Sequence, residues 1–107
     1  MKLYLITRAG LTHGQQTAQL VHGVVEFVHQ HREYAEHWRR ESNVVVCVEA
    51  PNEDALTFAI DYAHAAGIKY AEFREPDMDN ALTSVVMEDK GAWICRRFPL
   101  IASVSPR

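Results

Sequence analysis

Disulfide-forming cysteine, membrane-spanning runs and a surplus of basic charge are all scarce in this chain of 107 residues. Only two cysteines occur, Cys47 and Cys95. They form no C-x-x-C pair and each sits among apolar neighbours, so a disulfide scaffold is excluded and a reducing, cytoplasmic setting is expected. Five glycines and four prolines are too few for a collagen-like or low-complexity chain. The longest aliphatic stretch, Val44 to Val48 counting Cys47, falls far short of the roughly 20 residues a membrane helix needs. The apolar part of Met1–Arg8 is too short for a signal-peptide core and lacks a small-residue cleavage site. No membrane partner is therefore expected. Acidic residues outnumber basic ones, 14 against 11, for a net charge of −3. That argues against nonspecific DNA binding driven by phosphate neutralisation, although a local basic patch stays compatible with it.

What is present describes a globular domain. Apolar residues make up 48% and charged residues 23%, enough apolar side chains for one core and too few charges for intrinsic disorder. The expectation is a single domain over residues 1–107, with about 99–107 as a frayed tail.

Lys2 to Thr7 is apolar on both alternations, as in a central strand covered on two faces. Thr12-His13-Gly14-Gln15 reads as a capping box that opens a helix. Thr17, Leu20, Val21, Val24, Val25, Val28, Ala35 and Trp38 recur at helical spacing and predict its buried stripe, with a helix reaching about Arg40 and a break near His31. Asn43 to Glu49 is dense in β-branched residues and predicts a buried strand. Asn52 caps a second helix, with Leu56, Ala59, Ile60 and Ala63 inward and Gly67 just past its end. Lys69–Arg74 and Leu82–Met87 predict two more strands around a polar loop. Ala92–Phe98 fits either a short helix or an extended segment.

The order strand, helix, strand, helix, strand, strand predicts an α/β fold with a mixed four-stranded sheet sandwiched by helices. Its two strand–helix–strand units imply mostly parallel pairing, with an antiparallel partner after the short last loop. In such sheets ligands meet the carboxyl ends of the strands. That rim collects Arg8, His13, Gly14 and Gln15, with Arg74, Glu75 and Asp77 as neighbours.

A helix N-terminus offers free amides and a positive dipole end to an anion or a developing oxyanion. His13 stands there as a candidate proton carrier, or as a solvent-facing histidine. The Arg74-Glu75-Pro76-Asp77 loop offers carboxylates for a general base or for water positioning, or is an ordinary solvated turn. His22, Glu26, His29, Glu33 and His37 share helix faces, but no second set of ligands accompanies them, so no metal and no other cofactor is expected. A small metal-binding protein is the third and weakest function class. Arg39-Arg40 and Arg96-Arg97 suit phosphate contacts or plain surface charge. Trp38 and Trp93 suit base stacking, with Trp38 better placed as a core anchor.

Leu5-Ile6-Thr7-Arg8, then Gly14, then Ala18-Gln19-Leu20-Val21-His22, resembles the class II peptidyl-tRNA hydrolases. The likeness resumes in the Pro51–Gly67 helix, at Phe73-Arg74-Glu75 and in Leu82-Thr83-Ser84-Val85-Val86. It implies a mixed four-stranded sheet between helices, a tRNA substrate carrying a peptide ester, and a homodimer. It places Glu75, His13, Gln15 and Asp77 in the catalytic set and Arg8, Gly14, Gln19, Arg74 and Thr83 in substrate binding. Glu75 or Asp77 would position water, the Gly14 amides and the Gln15 side chain would face the oxyanion, His13 would move the proton, and Arg8 and Arg74 would hold phosphates. Where the family has a lysine after the glycine, this chain has Gln15, and where the family has an aspartate it has Glu75. Two activities follow: cleavage of the ester between a peptide and the tRNA ribose, or a catalytically inactive homologue that binds an RNA end, a nucleotide or a protein.

Overall fold

The computed structural model describes residues 1–101. The elements run β1 (Lys2–Arg8), α1 (His13–Gln30), α2 (Arg32–Glu41), β2 (Val44–Ala50), α3 (Glu53–Ala65), β3 (Tyr70–Glu75), β4 (Ala81–Glu88) and the short α4 (Ala92–Cys95), with 3-10 turns at Pro76–Met78 and Asp89–Gly91. The expected order therefore stands as an α/β fold around one four-stranded mixed sheet.

Local chemistry explains the helix boundaries. Thr12 Oγ1 accepts the Gln15 amide at 3.1 Å, and Gln15 Oε1 accepts the Thr12 amide at 2.9 Å, completing the capping box of α1. Asn52 Oδ1 accepts the Ala55 amide at 2.9 Å and starts α3, with Glu53 and Asp54 in the first turn where the helix dipole favours them. The expected break falls at His31, which ends α1 and begins α2. Its ring nitrogen Nε2 lies 2.8 Å from the Tyr70 carbonyl, tying the break to the start of β3.

The strand order is β2-β1-β4-β3. β1 pairs with β2 in parallel and with β4 antiparallel, and β3 pairs with β4 antiparallel. The expectation of mostly parallel pairing is thus corrected. β4 inserts between β1 and β3, so the second strand–helix–strand unit never pairs its own strands. β2 is an edge strand, not the buried one its β-branched run predicts: Val44 and Val45 are exposed. Pro99–Ile101, expected in a frayed tail, instead lie along that edge. The Glu49 amide donates to the Pro99 carbonyl and the Ile101 amide to the Cys47 carbonyl, both at 2.9 Å. The rest of the expected tail, residues 102–107, lies outside the described residues. Ala92–Phe98 resolves into α4 followed by a turn.

The sheet has an apolar cluster on each face. α3 and α4 cover Tyr4, Ile6, Val48, Val85 and Met87, while α1 and α2 cover Leu3, Leu5, Ala71 and Val86. The stripe predicted from the spacing is seated only in part: Leu20 and Ala35 are buried and Val24 and Trp38 pack against the cluster. The buried residues of α1 are Gln16, Gln19, Leu20, Gly23 and Phe27, whereas Thr17, Val21, Val25 and Val28 face outward. The reason lies in β4, whose Thr83 and Ser84 are fully buried. A buried hydroxyl left without a partner costs about 1–3 kcal/mol. Turning Gln19 inward satisfies both hydroxyls, and Gly23 lets the helix come close enough to do so. A Cβ at Gly23 would lie 2.7 Å from Ser84 Oγ and 2.9 Å from Val86 Cγ2.

Gly23→Ala is expected to cost about 1–3 kcal/mol of stability through overpacking. Gly14→Ala, where a Cβ meets nothing within 4 Å, is expected to leave stability unchanged or to raise it by up to about 1 kcal/mol. Urea denaturation of the two variants checks the contrast.

Candidate active site

The registers bring the ends of several elements to one rim. Arg8 of β1 stands beside Ala50 of β2, and Glu75 of β3 beside Ala81 of β4. The first turns of α1 and α3 rise from the same edge. Arg8 Nε donates to the Leu82 carbonyl at 3.1 Å, locking the end of β1 to the start of β4. Glu53 Oε2 accepts the Leu82 amide at 2.9 Å from the other face.

One buried amide organises the α1 side of this rim. Gln19 Nε2 donates to Glu75 Oε1 at 2.9 Å, Thr83 Oγ1 donates to Gln19 Oε1 at 2.6 Å, and Ser84 Oγ donates to the Gln19 carbonyl at 2.7 Å. Thr7 Oγ1 donates to the Thr83 carbonyl at 3.0 Å. The orientation of the Gln19 amide follows from charge. A carboxylate accepts only, so the NH₂ must face Glu75 and the oxygen must face the threonine hydroxyl. Thr83 is fully buried; it positions Gln19 and has no surface of its own to offer a ligand.

Glu75 is half-exposed. Its carboxyl is held below the usual glutamate range, first by the Gln19 hydrogen bond, then by the Asp77 amide, with the neighbouring His22 adding to the effect against a small desolvation penalty. The Asp77 amide reaches Glu75 Oε2 at 3.3 Å. Such a group stays ionised at neutral pH. It is a poor acid and a persistent acceptor, suited to orienting a water molecule. Asp77 itself is exposed and contributes its backbone to the cluster. His22, part of the run that carries the family resemblance and weighed as a metal ligand but not as a site residue, stacks on Phe73 with ring centroids 4.7 Å apart. Its place three residues beyond Gln19 is the signal that puts it on the same helix face.

The remaining candidates divide. His13, Gly14 and Gln15 form the exposed first turn of α1. The capping box uses the Gln15 amide N–H and side-chain oxygen, leaving the Gln15 NH₂ and the first backbone amides for a ligand. Gly14 has open space around it, so no close packing requires a glycine there. Arg74 is not brought to this cluster. Its Nε donates to Glu72 Oε2 at 2.9 Å, and both residues alternate away from Phe73 and Glu75. Gln16, absent from the candidate set, donates to the Arg8 carbonyl at 3.0 Å and to Glu49 Oε1 at 2.7 Å. A groove of about 580 Å³ runs along the β2 flank of α1, lined by His13, Gln16, Val21, Val25, Cys47 and Ile101 among others, and not by Glu75. Among the described residues, no three His, Cys, Asp or Glu side chains converge to hold a metal ion. No helix there is long and apolar enough to cross a membrane.

The fold and rim define a three-layered α/β protein, helices on both faces of one sheet, with a polar cluster at the strand ends. The family model described as peptidyl-tRNA hydrolase PTH2 matches residues 1–88, and the chain belongs to that family. A solved structure of a protein of unknown function from Agrobacterium tumefaciens strain C58 is similar, with a TM-score of 0.68 at 14% identity, covering 94% of this chain and 97% of that one. At that identity the likeness concerns the fold alone. No curated protein matches the chain significantly.

Because the Glu75 carboxyl is lowered in the fold, its contribution to stability is fully present above the unfolded glutamate range of about 4.3. It is lost as pH falls through the folded pKa. Carbon-13 NMR titration of the glutamate carboxyls is expected to show Glu75 titrating below the ordinary range, and Gln19→Leu is expected to move it up.

Proposed function

We propose that the protein hydrolyses the ester joining a peptide to the terminal ribose of tRNA. Family membership gives the reaction class, and the observation that carries the proposal is the buried Gln19 amide that holds Glu75 ionised at the rim. In this reading Glu75 orients a water toward the ester carbonyl carbon. The C–O bond to water forms as the carbonyl π bond opens onto oxygen, and the oxyanion meets the first amides of α1 and the Gln15 NH₂. Collapse expels the ribose oxygen. The proton that water loses ends on that oxygen, carried by His13 from the exposed first turn. Arg8 holds a phosphate with the guanidinium nitrogens that the Leu82 carbonyl does not use. Gln19 and Thr83 act as positioning residues, and Arg74, paired with Glu72, stays outside the set.

The same reading includes one domain over the whole chain, a cytoplasmic setting and a homodimer. The exposed Val21, Val25 and Val28 stripe supports the last of these. A second reading is favoured by one residue: Gln15, neutral where the family resemblance places a lysine. On that reading the rim binds a tRNA end without cleaving it.

Purified protein is expected to hydrolyse an N-blocked aminoacyl-tRNA well above the buffer rate, with Glu75→Gln reducing turnover by about 10²–10⁴-fold. Turnover no faster than buffer with tRNA still bound would select the binding reading. Neither turnover nor binding would overturn both.

A further inference from the structure

The groove on the β2 flank of α1 lies outside the Gln19–Glu75 cluster, and the proposed reaction uses only His13 from its wall. Its volume of about 580 Å³ is in the range of small-ligand sites. The wall is mostly aliphatic, and its Val21 and Val25 are 57% and 61% exposed. Among the described residues no Asp, Glu, Lys or Arg lines it; His13 and Cys47 are its titratable side chains.

The rim end of this groove is polar, and it is built from a buried side chain. Gln16 is 4% exposed. Its Nε2 donates to the Arg8 carbonyl at 3.0 Å and to Glu49 Oε1 at 2.7 Å. Both partners only accept, so both amide hydrogens are committed and Gln16 Oε1 must face elsewhere. Among the described residues nothing donates to that oxygen or to Glu49 Oε2. No buried side-chain polar atom there lacks a partner, so the oxygen keeps contact with solvent, and Gln16 meets solvent in the groove wall. Glu49 alternates onto the same face of β2 as Cys47, which lines the groove. Glu36 and Glu72 pair with arginines, whereas Glu49 has no cation within ion-pair distance among the described residues. The Arg8 guanidinium turns instead to the Leu82 carbonyl.

An apolar trough that ends in two idle acceptors and one uncompensated negative charge calls for a guest with a cationic donor at one end and an apolar body. A second copy seated through the outward valines does not bring one from that helix, because α1 contains no lysine or arginine. It would cover the carboxylate without a partner, which is strongly unfavourable. A peptide amino terminus offers three N–H donors and a positive charge, enough for Glu49 and the Gln16 oxygen together.

We propose that this groove binds a short apolar peptide by its free amino terminus, with the ammonium between the Glu49 carboxylate and Gln16 Oε1 and the side chains along Val21, Val25 and Cys47. The inference does not rest on the hydrolase reading.

The test is a nitrogen-15 NMR titration of the intact chain with leucyl-leucinamide, N-acetyl-leucyl-leucinamide and seryl-serinamide. Saturable shifts are expected at Gln16, Val21 and Cys47 with the first. Acetylation, which removes the ammonium, is expected to weaken binding by about tenfold or more. Glu49→Gln keeps an oxygen for Gln16 and is expected to abolish that preference. Val25→Ser is expected to weaken leucyl-leucinamide by about fivefold, and seryl-serinamide is expected to bind weakly to the parent. Denaturation midpoints equal to the parent's establish that the variants fold. No saturable shifts at these residues would overturn the site. So would equal binding of the acetylated peptide, a preference unchanged in Glu49→Gln, or shifts confined to Gln19 and Glu75. Sedimentation showing a dimer that Val25→Ser loosens, with no peptide shifts at any dilution, would assign the groove to a second copy and also overturn it. Ester turnover decides none of these outcomes, so the two proposals fail separately.

Discussion

The contact between α1 and β4 at Gln19 and Gly23 governs the rest of this molecule. Thr83 and Ser84 bring two hydroxyls into the interior of a central strand, where an unpaired donor is costly. The Gln19 side chain answers one and its carbonyl the other. Gly23 removes the Cβ that would hold the helix away. Once that face is inward, three valines of α1 must face outward, and the second hand of the Gln19 amide must project toward β3. It finds Glu75 there. Packing, polar satisfaction and the charge state of the rim carboxylate are therefore one arrangement.

Sheet topology supplies the second half of the site. Placing β4 between β1 and β3 brings the start of an antiparallel strand to the edge where β1 and β3 end. Thr83 and Glu75 thus meet Gln19 of α1, 64 and 56 residues away in the chain, and Arg8 bonds the Leu82 carbonyl at the start of β4. The sheet divides the surface into two unlike faces. One carries the polar rim beside an uncharged groove, and the other carries the exposed rings of Phe58, Tyr62 and Trp93, with Arg97 over Tyr62.

Features set by neighbours in sequence were legible without coordinates. The Thr12–Gln15 capping box, the Asn52 cap and the break at His31 each depend on a few adjacent residues, and each appears where the sequence predicts it. The strands and their order along the chain were legible for the same reason, while their order in the sheet, with β4 between β1 and β3, was not. The facing of α1 was not. Its valines recur at helical spacing as well as any buried stripe does, and the competing claim comes from a threonine 64 residues away. β2 reads as buried because its valines say nothing about which strand lies beyond it. Four residues of α4 are too few to show a period. At the site, Glu75, Gln19 and Thr83 came from the family resemblance, and the structure brings them within hydrogen-bonding distance. Arg74 came from the family resemblance too, but strand period sets it with Glu72, away from Phe73 and Glu75, and the structure pairs the two. His22 was visible as a residue type, but its role depends on Phe73 and Glu75 across the fold.

If Gln19 serves turnover only by holding Glu75 in place, the two residues are one functional unit, and their losses cannot be independent. The direct measurement is a double-mutant cycle on N-blocked aminoacyl-tRNA hydrolysis, comparing Gln19→Leu, Glu75→Gln and the pair. The account predicts that the double variant is no slower than Glu75→Gln alone. Losses that multiply, with Gln19→Leu slowing the Glu75→Gln protein as much as it slows the parent, would contradict it.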